Sequence, residues 1–210
     1  MRYLIMILLV MSSFTSLFAA PNTISTLFSE SYKKAREGDT RAALNAVLQV
    51  LQKDTRNYTA NLRAGYLLYT LGRHNQSIER YQKAVKLAPR AIEPRLGLML
   101  PLMAQRKWAT VEEIINNLLK YDPLSYTLNS RLAYIMYVTG RYSEAKSYYN
   151  KVAVLYPADL DMQLGLGWTN LKMGNARNAA SWFQSVLTVM PTNGSARAGL
   201  NALRMKVARR

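Results

Sequence analysis

The chain has 210 residues, half of them apolar, and its 28 Lys and Arg against 12 Asp and Glu give a formal net charge of +16. It contains no cysteine, which excludes disulfides, thiolate metal sites and thiol nucleophiles, and its single histidine, His74, argues against a multi-histidine metal site. The positive charge favours acidic partners, which include acidic proteins, anionic polysaccharide, anionic lipid and nucleic acid.

Residues 1–20 have the pattern of a secretory signal peptide. Arg2 precedes an apolar run, and the segment ends in the small residues Ala19 and Ala20, as such signals do. We expect cleavage after Ala19 and a mature protein that is periplasmic or secreted. The alternative is an uncleaved anchor in the inner membrane formed by residues 3–20, although serine and threonine interrupt its second half.

Beyond this segment, two ladders of residues repeat at a fixed interval. One consists of prolines and the other of four glycines and an arginine, each 34 residues apart: Pro89, Pro123, Pro157 and Pro191, and Gly38, Gly72, Arg106, Gly140 and Gly174. This period is typical of helix–turn–helix pairs. We therefore predict an array over residues 21–193 with the repeats 24–57, 58–91, 92–125, 126–159 and 160–193, followed by a terminal piece, 194–210.

The fourth repeat shows why two helices are predicted in each. Its first half has apolar residues spaced to line one helical face, and its second half has another such set: Leu128, Leu132, Ile135 and Met136, then Tyr142, Ala145, Tyr148, Tyr149 and Val152. Gly140 lies between the two sets, where a residue that tolerates the left-handed conformation ends the first helix. Pro157 closes the repeat, because a helix rarely continues into a proline.

The second, fourth and fifth repeats share three further places. These are a small residue in the first helix, a small residue in the second helix and an aromatic that follows it: Gly65, Ala133 and Gly167; Ser77, Ala145 and Ala179; Tyr81, Tyr149 and Phe183. In this pattern the chain resembles the tetratricopeptide repeat family. The resemblance implies an all-α fold, a right-handed superhelical solenoid of helix–turn–helix pairs with a C-terminal capping helix.

The first and third repeats depart from this pattern. The first has Val47 in place of the aromatic and Thr55 in place of the proline, as terminal repeats often do. The third has larger or aliphatic residues at the three shared places, namely Met99, Val111 and Ile115. It also has Pro101 inside its first helix, where the missing N–H predicts a bend, whereas Pro94 falls at a helix start.

Residues 194–210 predict one more amphipathic helix, which caps the exposed apolar face of the last repeat. Ser195 is the expected N-cap, and four apolar residues are expected to face the stack: Ala198, Leu200, Leu203 and Val207. Near its end the helix has Arg204, Lys206, Arg209 and Arg210, which suit the negative end of the helix dipole. The alternative interpretation is a basic tail that grips an acidic partner or a membrane surface.

No catalytic or cofactor-binding pattern occurs in the sequence. It has no glycine-rich phosphate loop, no nucleophile elbow and no histidine spacing that suggests a metal site. We expect His74 in the turn between the helices of the second repeat. The sequence therefore predicts no enzyme activity, no cofactor and no metal. Nucleic acid is not an expected partner, because the sequence has no continuous basic stripe with a reading element.

In the tetratricopeptide repeat family the first helix of each pair lines a concave groove, and the resemblance implies which residues face it. They are mostly aromatic or aliphatic: Phe28, Tyr32, Leu62, Tyr66, Tyr69, Leu96, Leu100, Met103, Ser130, Tyr134, Tyr137, Leu164, Trp168 and Leu171. The Lys and Asn with which chaperone-binding members hold a terminal carboxylate are absent from these places. As partner-binding residues we single out Tyr32, Tyr66, Tyr69, Tyr134, Tyr137 and Trp168, and packing is the alternative role of Tyr69 and Tyr137.

The sequence therefore predicts a non-enzymatic scaffold that binds a peptide or helical segment of another protein in this groove, in envelope assembly or export. One alternative is a basic module that binds anionic polysaccharide or anionic lipid, as in repeat proteins linked to exopolysaccharide export. Another is self-association of the array. Ionic strength separates the first two functions, because binding through exposed charges weakens steeply with salt.

Overall fold

The computed structural model describes residues 23–208, with side chains as far as residue 205. This part of the chain consists of eleven α-helices and contains no strand, which confirms the all-α helical repeat fold. The helices are α1 (Ile24–Arg36), α2 (Thr40–Lys53), α3 (Tyr58–Thr70), α4 (His74–Leu87), α5 (Glu93–Ala104), α6 (Trp108–Leu119), α7 (Tyr126–Val138), α8 (Tyr142–Leu155), α9 (Leu160–Lys172), α10 (Ala176–Val189) and α11 (Gly194–Ala208). The predicted signal peptide, the side chains of Lys206 and Val207, and Arg209 and Arg210 lie outside the described residues.

Each predicted repeat contains one helix pair, and each helix packs on the next along the chain. The apolar core divides into three clusters, one in the first two repeats, one that runs from the second repeat to the fifth, and one that joins the fifth repeat to α11. The described residues therefore form a stack of helix pairs in which every repeat shares a core cluster with a neighbour, as in a solenoid.

The turn inside every repeat has the same backbone conformation. Gly38, Gly72, Gly140 and Gly174 have positive φ between 72° and 83°, and Arg106 has φ 56° at the equivalent place. At each turn the N–H of the following residue donates to a carbonyl five residues earlier, for example Arg73 to Leu68, which is the Schellman arrangement. The second ladder of the sequence thus marks the residues that end the first helix of each pair.

His74 lies elsewhere than expected. It is the first residue of α4 and not part of the turn, because the turn ends at Arg73, and its ring lies 5.8 Å from the ring of Tyr69.

The predicted small places are buried and hold the aromatic of the same repeat. A Cβ on Gly65 would lie 3.0 Å from the ring of Tyr81. The structure adds a contact that comparison within repeats does not show, because the same ring also lies against Gly97 of the next repeat, where a Cβ would overlap it. Gly165 and Gly199 have the same relation to Tyr149 and Phe183.

These glycines belong to a third ladder, which consists of arginine and glycine: Arg63, Gly97, Arg131, Gly165 and Gly199. Glycine occurs where the preceding repeat supplies an aromatic, and arginine occurs where it supplies Val47 or Ile115. The distances between the first helices of successive repeats follow the same pattern. α3 comes within 8 Å of α5 between Cα atoms, as α7 does of α9, but no Cα pair within that distance joins α1 to α3 or α5 to α7. The array therefore has tight and wide junctions.

A second unforeseen feature fixes the loop between repeats. At one place in the first helix of repeats two to five, and in α11, a side-chain N–H donates to the carbonyl six residues earlier. The five bonds are Asn61 to Thr55 (3.2 Å), Arg95 to Pro89 (2.5 Å), Asn129 to Pro123 (3.1 Å), Gln163 to Pro157 (2.8 Å) and Arg197 to Pro191 (3.0 Å). Because each bond ties the loop to the helix that follows it, this loop clamp stabilises the turn before each first helix.

The third repeat is the most open. α5 continues through the buried Pro101 to Ala104, so this proline does not interrupt the helix. Met99 and Val111 are fully buried at the places where other repeats have small residues. Because these side chains are larger, α5 and α6 approach each other within 8 Å over a shorter length than the helices of the other repeats do.

The terminal helix differs in detail from the prediction. Asn193 is its N-cap, since its Oδ1 accepts from the N–H of Ala196 at 2.9 Å, whereas Ser195 lies inside the helix. Leu203 is buried and Leu200 is half-buried, as expected, but Ala198 is exposed. Ala196 is buried in its place, and the helix begins two residues earlier than a Ser195 cap would require.

Candidate partner-binding groove

The groove is the surface formed by the first helices of the repeats, α1, α3, α5, α7 and α9. Three of the six predicted tyrosine and tryptophan residues are well exposed on it: Tyr66 at 53%, Tyr32 at 48% and Tyr134 at 45% of their surface. Tyr69, Tyr137 and Trp168 are half-buried. Tyr66, Tyr32 and Tyr134 thus have the largest exposed surface that a partner could contact.

Two cavities of similar size and composition lie in the groove, at two of the tight junctions. The first, of about 280 Å³, has Tyr66, Tyr81, Glu93 and Gly97 among its walls. The second, of about 310 Å³, has their equivalents two repeats later: Tyr134, Tyr149, Asp161 and Gly165. The groove therefore presents the same arrangement twice.

Glycine makes these cavities possible. Because Gly97 and Gly165 lack a side chain, the edge of the ring behind each of them forms the cavity floor. Burial raises the pKa of Tyr81 to about 12 and raises that of Tyr149 above its usual range, so both phenols stay neutral at physiological pH. Each cavity is consequently an aromatic pocket lined by one carboxylate, and Arg63 adds a guanidinium to the walls of the first.

The wide junctions are spanned by arginines. The Nε of Arg63 donates to Ser31 Oγ at 2.7 Å, and its guanidinium lies 3.6 Å above the ring of Tyr32. Nη1 of Arg131 donates to the carbonyl of Leu96 at 3.4 Å, and burial lowers the pKa of this guanidinium. Within the described residues no carboxylate lies within 4.0 Å of either arginine.

Comparison with protein families agrees with this geometry. A family model described as tetratricopeptide repeat matches residues 33–92 and 137–196, more than half of the chain. The chain belongs to the tetratricopeptide repeat family. A search of curated proteins found no match.

Several solved structures share this tetratricopeptide repeat fold. A tetratricopeptide repeat protein from Parabacteroides merdae ATCC 43184 is similar with a TM-score of 0.80 and 16% identity over 88% of this chain and 73% of that one. MamA from Desulfovibrio magneticus RS-1 gives 0.75 and 15% over 81% and 97%. YrrB, described as a TPR protein with an unusual peptide-binding site, gives 0.71 and 14% over 86% and 93%.

Within the tetratricopeptide array, Tyr69 and Tyr137 pack between the two helices of their own repeats. Tyr69 contacts His74, and the ring of Tyr137 lies 5.7 Å from that of Tyr142. Their equivalent position and equivalent contacts favour the packing role that the sequence left open.

Trp168 has a different environment from the tyrosines. Its Nε1 donates to Ser195 Oγ at 2.9 Å, and its ring meets Phe183 edge-on at 5.3 Å. It therefore links the fifth repeat to α11, a connection that no sequence pattern indicated because Ser195 was expected to cap its own helix. Trp168 also lines the second cavity, so its ring both packs and borders the groove.

Three further predictions concern the basic tail, metal sites and membrane-spanning helices. Arg204 of the basic tail is exposed, so an acidic partner for this tail stays a prediction. Within residues 23–205 no group of three or more metal-ligating side chains occurs. No helix in the described range is long and apolar enough to cross a membrane.

Proposed function

We propose that this protein is a scaffold that binds an extended or helical segment of a partner protein in the groove. The observation that carries the proposal is the pair of aromatic cavities two repeats apart, each below an exposed tyrosine. Exposed tyrosines are good anchors because they bury a large area at low entropic cost. Family membership and the peptide-binding site named for YrrB support the same class of function.

The spacing of the cavities suggests how a segment would lie. Packed helices are separated by about 10 Å, and one of the two junctions between the cavities is wide, so the cavities are at least about 20 Å apart. An extended chain covers about 3.3 Å per residue, so two side chains at least about six residues apart would reach both cavities. A partner segment with two such anchors would gain from both cavities at once, whereas a single anchor would not.

We further propose that the scaffold acts outside the cytoplasm, in assembly of or export through the cell envelope. The support is the signal-peptide pattern of residues 1–20. Fractionation of the native host and the intact mass of the mature protein test this localisation. A protein that keeps its first 20 residues and stays in the cytoplasm would contradict it.

The groove is tested by the double substitution Tyr66→Ala and Tyr134→Ala. We expect at least tenfold weaker recovery of partner proteins after crosslinking in the native host, because one anchor of each cavity is lost. The free energy of unfolding should change by less than about 1 kcal/mol, since both side chains are about half exposed.

The matched control is Val154→Ala with Val189→Ala, two highly exposed apolar side chains outside the groove. This control should leave recovery unchanged. Equal loss in both double variants, or no loss in the tyrosine variant, would rule out the groove as the binding surface.

A further inference from the structure

A third cavity lies outside the groove, between the loop before α5 and the end of α6. It has a volume of about 550 Å³, larger than either groove cavity, and its walls include Arg90, Ile92, Arg95, Asn117, Lys120 and Tyr121. No acidic residue is among its lining residues. A cavity of this volume is in the range that accommodates a small organic ligand.

The cavity is open because a bridge present in the next two repeats is missing. At the place of Asn117 the fourth repeat has Lys151, whose Nζ reaches the carbonyl of Pro123 at 2.7 Å. The fifth repeat has Ser185, which donates to Gln163 Oε1 at 2.9 Å. Asn117 instead accepts a hydrogen bond from Lys120 at 3.1 Å, and the wider separation of α5 and α6 leaves the space unfilled.

The positive charge of the cavity exceeds what the fold requires. Arg95 makes the loop clamp to Pro89 and also donates to the carbonyl of Ala91 at 2.6 Å. The equivalent Asn129 makes the same clamp with an uncharged amide, so the guanidinium adds a cation that the clamp does not need. Within the described residues no carboxylate lies within 4.0 Å of Arg90, Arg95 or Lys120.

We propose that this cavity is a binding site for a sugar-sized anion, a molecule that carries a carboxylate or phosphate group on a ring. Arginine and lysine bind the anionic group, because guanidinium and ammonium donors suit carboxylate and phosphate oxygens. The ring lies against Tyr121, which is 83% exposed, and against Ile92. The site is separate from the groove and does not depend on what the groove binds.

Titration calorimetry of the full chain with glucuronate, glucose 6-phosphate and glucose tests the site and distinguishes the two anion sources. We expect saturable binding of at least one of the two anions and none of the neutral sugar. Arg90→Ala with Lys120→Ala should weaken the binding at least tenfold. Lys172→Ala with Arg177→Ala removes the same charge from exposed positions in the fifth repeat and should change it less than twofold.

Asn117→Lys separates a defined cavity from general charge attraction. It adds a positive charge but supplies the bridge seen at Lys151, so it should fill the cavity and weaken binding at least tenfold. Arg95→Asn should keep the melting temperature within about 2 °C and weaken binding at least fivefold, because the amide preserves the clamp. Stronger binding by Asn117→Lys, equal losses in the two alanine pairs, or absence of anion binding would overturn the proposal.

Discussion

Arg106 occupies a position at which the four equivalent residues are glycine. Its φ of 56° places it in the left-handed region, the only described residue other than glycine with positive φ. A side chain in this conformation costs about 1–2 kcal/mol because Cβ crowds the following carbonyl. The turn keeps its Schellman hydrogen bond from Lys107 to Leu102, so the surrounding helices impose the conformation.

Arg106→Gly should therefore stabilise the protein. The relief of strain exceeds the greater chain entropy of glycine in the unfolded state, and we expect a net gain of about 1 kcal/mol, or a rise of about 2–4 °C in Tm. Thermal unfolding measures it. The reverse change, Gly140→Arg, should lower Tm by a similar amount, and a stabilising effect of both substitutions would contradict the explanation.

The residue scale also shows what sequence could and could not predict. The turn ladder was visible because it recurs in all five repeats, and the buried small places and the aromatics were visible because they recur in the second, fourth and fifth. The role of Gly97 was not, since its partner Tyr81 belongs to the preceding repeat and appears only when residues of neighbouring repeats are compared. The tyrosines of the groove followed from the resemblance to the tetratricopeptide repeat family, whereas the hydrogen bond that ties Trp168 to Ser195 depends on the packing of α11.

At the scale of elements, α11 completes the last repeat and is more than a polar end. Gly199 lies directly against Phe183, and Ala196 and Leu203 are buried beside it. The helix thus covers Phe183 with Gly199, in the same way as the fifth repeat covers Tyr149 of the fourth repeat with Gly165. The indole of Trp168 adds the directional contact of this interface through its bond to Ser195.

We expect Trp168→Phe to loosen α11 specifically. Phenylalanine keeps an aromatic ring beside Phe183 but removes the N–H donor, which should cost about 1 kcal/mol and speed amide exchange in α11. A double-mutant cycle with Ser195→Ala isolates the bond, because the second substitution should have little further effect once the first is present. Additive effects, or unchanged exchange in α11, would show that the bond does not hold the helix.

At the scale of the whole molecule, tight and wide junctions give the array a unit of two repeats. The second and fourth repeats share Arg63/Arg131 and Tyr66/Tyr134, and the third and fifth share Gly97/Gly165 and an acidic residue near the cavity rim. Each aromatic cavity is made mainly by one repeat of each kind, and Tyr32 of the first repeat adds to the first cavity. The two groove cavities are therefore a property of this alternation and not of any single repeat.

Deleting repeats should reveal the unit. Removal of residues 92–159 brings Tyr81 next to Gly165 and preserves the aromatic–glycine contact. Removal of residues 92–125 alone brings Tyr81 against Arg131, for which there is no space. We expect the variant without residues 92–159 to unfold cooperatively. The variant without residues 92–125 should have the lower Tm, although it is the longer of the two, as measured by circular dichroism. A higher Tm for the longer protein would show that the junctions tolerate either neighbour.

The choice of glycine or arginine in the third ladder restricts which repeat can follow which. A ring on one repeat accepts only certain successors, so the repeats have an order that cannot be shuffled freely even though their backbones are nearly alike. Loss of the second, third or fourth repeat alone pairs an aromatic with arginine or an aliphatic residue with glycine, whereas loss of the third and fourth together keeps every pairing. Lengthening this protein in steps of 68 residues should thus add one complete cavity at a time and extend the ligand it can span.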